Sequence, residues 1–153
     1  MTDSEQGELI SKISALPPNE LLESIGHVAL DAAPTDWQHI TITMSGMANS
    51  TSVRAEAATH QGTQSLSLGA AGARHAHRLR KTMYTDDAGT WYRATITIDA
   101  QRHLEADFAY RSKPYDESEE GKDFIRDLLV QDQAKYPRTP DLLPEWHPSK
   151  QAA

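Results

Sequence analysis

Between residues 37 and 110 the apolar positions recur every second residue. Ile40, Ile42 and Met44 alternate with Thr41, Thr43 and Ser45, and Val53, Ala55 and Ala57 alternate with Arg54, Glu56 and Ala58. Further on, Tyr92, Ala94, Ile96 and Ile98 share one parity, as do Leu104, Ala106, Phe108 and Tyr110. In a strand, successive side chains point to opposite faces, so this period predicts strands with one buried and one wetted side. Gly46 to Ser50 and Asp99-Ala100-Gln101 supply turns. The pattern therefore predicts two antiparallel hairpins, over 37–59 and about 91–110, and a sheet that needs a cover on one face only.

The flanks change period. Leu9, Ile10, Ile13 and Leu16 have helical spacing, which predicts a short amphipathic helix over 3–16, interrupted by Pro17-Pro18. Leu21, Leu22, Ile25, Val28 and Ala29 predict a second helix that ends before Pro34. The Gly-, Ser- and Gln-rich stretch 60–72 reads as a loop, and the basic, Ala-rich stretch 70–84 as a helix. A last helix is expected over 118–134, with Phe124, Ile125, Leu128 and Leu129 on its inner stripe. The tail, YPRTPDLLPEWHP, holds four prolines. It is expected to be extended and docked through Tyr136, Leu142, Leu143 and Trp146. The expected fold is α+β: an antiparallel sheet of about four strands, helices on one face, and an extended proline-rich C-terminal tail. A chain of 153 residues predicts one domain. Its parts would be N-terminal helices over 3–33, the sheet region over 37–110, the helix over 118–134 and the tail over 135–147.

The chain has no cysteine, which removes disulfides, thiol nucleophiles and thiolate metal sites. The polar, acidic N-terminus is unlike a signal peptide, and no run approaches about 20 apolar residues. The cytoplasm is the expected compartment. Fifteen basic against 22 acidic residues give a net charge of −7. That balance disfavours nucleic acid and anionic membrane as direct partners and favours a basic protein.

Catalytic and metal patterns are weak. His75 and His77 are two apart in an expected helix, where their side chains diverge, so no metal site is expected. There is no G-x-S-x-G element, and Gly69-Ala70-Ala71-Gly72 lacks the spacing and the Lys-Ser/Thr pair of a phosphate loop. Glu105 and Asp107 would share a strand face about 7 Å apart. A carboxylate-based hydrolase needs such a pair in a cleft, and these positions are expected to be solvated, beside Arg93 and His103. No catalytic residue, cofactor or metal is assigned.

Charge is unevenly spread. From Glu105 to Asp132 there are nine acids and four bases, which is −5 of the total −7. Glu105, Asp107, Asp116, Glu117, Glu119, Glu120 and Asp123 are the candidate contact residues of an acidic docking face. Arg74 to Lys81 is a basic stretch of opposite character.

A more specific pattern lies in the second half. Gly89 and Trp91 open a strand, Phe108, Tyr110 and Pro114 mark the end of the next, and Tyr136, Pro137, Arg138, Leu143, Pro144 and Trp146 form the tail. These features, over roughly residues 78–147, resemble a group of bacterial immunity proteins, the YezG-like family and its actinobacterial relatives, associated with polymorphic toxin systems. Arg111 stands where that pattern has an acidic residue. The resemblance implies a non-enzymatic inhibitor that binds the toxin domain of its own strain, often a nuclease or another nucleotide-acting enzyme. A groove that holds nucleic acid is basic, so an acidic face suits it. Trp91, Trp146, Tyr136 and the prolines are expected to pack the core and the tail. The alternatives are an effector chaperone or adaptor and a small carboxylate-based enzyme. A deep cleft holding His103, Glu105 and Asp107 would favour the enzyme.

Overall fold

The computed structural model describes residues 10–11, 19–115 and 121–151. Their order is β1 (Ile10–Ser11), α1 (Asn19–Ala32), β2 (His39–Met47), β3 (Ser50–Thr59), β4 (Gly62–Leu66), α2 (Gly69–Thr82), β5 (Arg93–Ile98), β6 (His103–Ala109), α3 (Lys122–Lys135) and α4 (Pro148–Gln151). One sheet runs β1-β6-β5-β2-β3-β4. Every pairing is antiparallel except that of β1, which lies parallel to β6.

The period-two residues make the core. Ile40, Ile42 and Met44 of β2, Ala55 and Ala57 of β3, Ala94, Ile96 and Ile98 of β5 and Leu104 of β6 are buried on one face. Leu22, Ile25 and Ala29 of α1 and Ala76 and Leu79 of α2 cover them. Each such aliphatic side chain contributes about 1.5–3 kcal/mol on burial. The other face presents Thr41 and Thr43 opposite Thr97 and Thr95, flanked by Arg54 and Glu56 on β3 and by Glu105 and Asp107 on β6. The fold is α+β, as the pattern predicted.

Three expectations change. The five antiparallel strands are close to the expected sheet of about four, but part of the expected loop over 60–72 is the strand β4. Four of its five residues are exposed and only Leu66 is buried, so no alternation marks it. Backbone bonding to β3, from Ala55↔Leu66 to Thr59↔Gly62, makes it a strand. Within the expected helix over 3–16, Ile10 and Ser11 instead pair with His103 and Leu104; the rest of that segment lies outside the described residues. A helix that short is marginal without tertiary packing, and the free edge of β6 offers backbone partners. The tail is not extended throughout. It contains a 3₁₀ turn over Pro140–Leu142 and the short helix α4, with Pro148 in the first turn, where proline costs no hydrogen bond.

Candidate functional site

Two groups of residues stand out, one buried where β2 turns into β3 and one exposed on β6 and at the start of α3. The first is buried. Asp132 of α3 receives two bonds from the Arg80 guanidinium of α2, at 2.5 and 3.0 Å, and one from the Ala48 backbone N–H at 2.6 Å. Arg80 Nε also donates to the Trp91 carbonyl at 2.6 Å. Two helices, the β2–β3 turn and the start of β5 are thereby joined at one ion pair that water does not reach. Gly46 makes room for it: a Cβ there would lie 2.5 Å from Arg80 Cδ.

A second arginine closes the tail. Arg138 donates to the carbonyls of Tyr110 and Thr90, and its guanidinium lies 4.0 Å from the centre of the Tyr92 ring. Gly89 has φ +71°, and a Cβ on it would meet the Arg138 side chain at 2.6 Å. Burial pushes the Tyr92 hydroxyl up to about 12, against the opposing pull of Arg138. Trp146 packs on Tyr92 at 5.1 Å and donates to the Arg111 carbonyl at 2.8 Å. Trp91 is buried against Phe108. The glycine, aromatic and proline-arginine motif residues thus meet as a structural lock, with their polar groups turned inward.

The second group is exposed. Glu105 and Asp107 stand on the open parity of β6, opposite Thr97 and Thr95. The bases expected beside them are engaged elsewhere. His103 Nδ1 is 3.1 Å from Asp99 Oδ2, and Arg93 Nε donates to the Lys113 carbonyl at 2.5 Å. The His103 backbone N–H, with its ring and the Gln101 N–H, holds the Asp99 carboxyl below its ordinary range. Asp123 is exposed in the first turn of α3, where the helix dipole favours a carboxylate. Asp116, Glu117, Glu119 and Glu120 lie outside the described residues.

Tyr115 stands between the sheet's polar face and the start of α3. It lines a cleft of about 220 Å³ on the sheet face with Thr43, Arg54 and Arg93, and another of about 180 Å³ with Asp123, Arg126 and Trp146. The sheet's polar face and the start of α3 therefore adjoin at one ring. Phe124, expected on the inner stripe of α3, is 68% exposed, and Val130 is 48% exposed. Leu129 is buried as expected, and Asp132 rather than Phe124 joins it on the inner face.

Asp132, Arg80, Arg138 and His147 were not legible as buried groups. Asp132 counts among the nine acids of the charged run, but it is 1% exposed and adds nothing to a surface. Arg80 likewise sits inside the basic stretch as a core residue.

None of the clefts described, among the described residues, is lined by His103, Glu105 or Asp107. Among the same residues no group of three or more histidines and carboxylates could hold a metal ion. No helix among them is long and apolar enough to cross a membrane. No protein-family model matches the chain, and no curated protein matches it in sequence.

Proposed function

We propose that this chain is an immunity-type inhibitor that acts by binding, not catalysis, and neutralises a basic bacterial toxin domain. The contact surface is formed by Glu105, Asp107 and Asp123, with Asp116, Glu117, Glu119 and Glu120 in the segment between Tyr115 and Gly121. The observation that supports it most is the pairing of exposed acids with an exposed aromatic. Glu105 and Asp107 flank a floor of threonines, and Asp123 and the largely uncovered Phe124 stand exposed at the start of α3. Interfaces of this kind use charge to steer the encounter and a few aromatic side chains to hold it. The motif resemblance supplies the class of partner. A nuclease or other nucleotide-acting toxin presents a basic groove that such a surface complements.

The test begins from the gene next to this chain's, where a multidomain secreted toxin is expected, and uses the toxin domain encoded there. Combined Glu105→Lys, Asp107→Lys and Asp123→Lys should slow association about tenfold or more. Phe124→Ala should weaken affinity about thirtyfold, the size of a central contact, mainly through faster dissociation. Both variants should lose protection of toxin-expressing cells in proportion. Full binding and full protection by both would place the contact elsewhere.

A further inference from the structure

A cleft of about 600 Å³ lies away from Glu105, Asp107 and Asp123, between α2 and the start of β3. Its floor is Asn49, Thr51 and Ala73; its wall is Arg74, Arg78 and Lys81. These three cations recur at i, i+4 and i+7, so they stack along one side of α2 over two turns, roughly 10 Å. Ala70 and Ala73 on the same side are too small to fill the space below them. Among the described residues no carboxylate lines the cleft. Among the described residues none of the three cationic side chains has an ion-pair or hydrogen-bond partner.

Such an arrangement costs stability by itself, because like charges four apart on a helix repel. Complementing the helix dipole does not account for it. Lys81 is in the last turn, but Arg74 and Arg78 lie further towards the N-terminus, where a cation gains nothing. His77 also lines the cleft, and Lys81 is the one of the three cations that acts on its ring. His77, whose ring Nδ1 is 3.4 Å from the Thr51 hydroxyl, is held below its usual pKa by burial and then by Lys135, Lys81 and Arg80.

We propose that this cleft binds an oligophosphate, a small ligand carrying two or more linked phosphate groups. Two guanidinium forks and an ammonium match a row of phosphate oxygens, and the Asn49 amide and Thr51 hydroxyl add uncharged donors. The volume is that of a small-molecule site. The short span of the cations favours a compact polyanion over an acidic polypeptide, which would need a longer track. The site stands apart from the toxin surface and does not rest on it.

The experiment titrates the full chain with sodium tripolyphosphate at near-physiological salt, by calorimetry and by the histidine ring resonances. Saturable one-to-one binding is expected, about tenfold or more tighter than for orthophosphate. The His77 ring should shift, and those of His27, His39 and His60 should not. The double variant Arg74→Gln/Arg78→Gln should lose about tenfold in affinity with a melting temperature no lower than that of the wild type, because it relieves the repulsion. Ala73→Leu, which fills the floor and keeps the charge, should lose as much. Equal weak binding of both anions, wild-type affinity in the double variant, or an unmoved His77 ring would overturn the proposal. Tighter binding of a hexaglutamate peptide than of tripolyphosphate would also overturn it, and would assign the cleft to an acidic segment of a protein.

Discussion

Arg80 and Asp132 show how much one residue's setting matters. Each would be an ordinary surface charge if the helices were separate, and together they are buried in five hydrogen bonds, two to each other and three to Ala48, Trp91 and Thr90. Asp132→Ala strands the Arg80 charge and the Ala48 N–H in the interior. The expected loss is about 3–5 kcal/mol, read as a lower denaturation midpoint; a loss under about 1 kcal/mol would mean water enters and solvates the arginine. His147 carries a second residue-scale consequence. It is fully buried, and its Nδ1 accepts from the Ser149 N–H, which leaves the proton on Nε2. Burial lowers its pKa below the usual 6.5, opposed by Asp132 and the Leu129 carbonyl and reinforced by Arg138. The unfolded chain therefore binds the proton more readily. Stability from this group is present above about pH 6.5 and falls as the pH drops towards the folded value. His77 is lowered as well, so it adds in the same direction. The melting temperature should decrease between about pH 7.5 and 5.5, and His147→Gln should reduce that decrease but not abolish it. A wild-type melting temperature that does not change over this interval would contradict the assignment.

At the scale of elements, α3 and the tail behave as one unit. Tyr136 ends α3 with its N–H on the Asp132 carbonyl, Gln133 exchanges two bonds with the Arg138 backbone, and the Thr139 N–H reaches the Asp87 carbonyl. The four prolines lower the entropy lost in ordering this path. Trp146 completes it at the far end, half-buried on Tyr92 and Tyr115. Trp146→Ala should cost about 2–3 kcal/mol, below the value for a fully buried tryptophan, since part of the ring is already solvated. Trp146→Phe should cost about 1 kcal/mol, for the bond to the Arg111 carbonyl. Thermal melts of the two variants test the order. Equal midpoints for wild type and Trp146→Ala would show that the tail does not hold the fold. β4 is the opposite case: an edge strand with polar side chains, kept in place by its neighbour's backbone.

Across the whole molecule, charge is sorted by location. Acids stand on β6 and at the start of α3, with Arg54, Arg93 and Arg126 nearby; cations line one side of α2; Arg80 and Asp132 neutralise each other in the core. A basic partner should therefore be steered to one region of an overall acidic chain. Raising salt from about 50 to 500 mM should slow association several-fold and barely change dissociation, because exposed charges are screened beyond about 10 Å.

The sequence by itself determined the two hairpins, α1, α2 and the wet and dry sides of the sheet. Those follow from local periodicity, and alternation such as Ile40-Thr41-Ile42-Thr43 has one geometric solution. Glu105 and Asp107 could be placed on the wet side for the same reason. Tertiary structure decided the rest. β4 and Ile10–Ser11 are strands because a neighbouring backbone offers partners, which no side-chain period encodes. The rotation of α3, with Phe124 outward and Asp132 inward, follows from an ion pair to a residue 52 positions away. Burial of a charge depends on what meets it, and a charged residue looks the same in sequence whether its partner is water or an arginine. The cleft on α2 belongs to the same class: the cations were legible as a basic stretch, but the space beneath them exists only because β3 passes under two alanines.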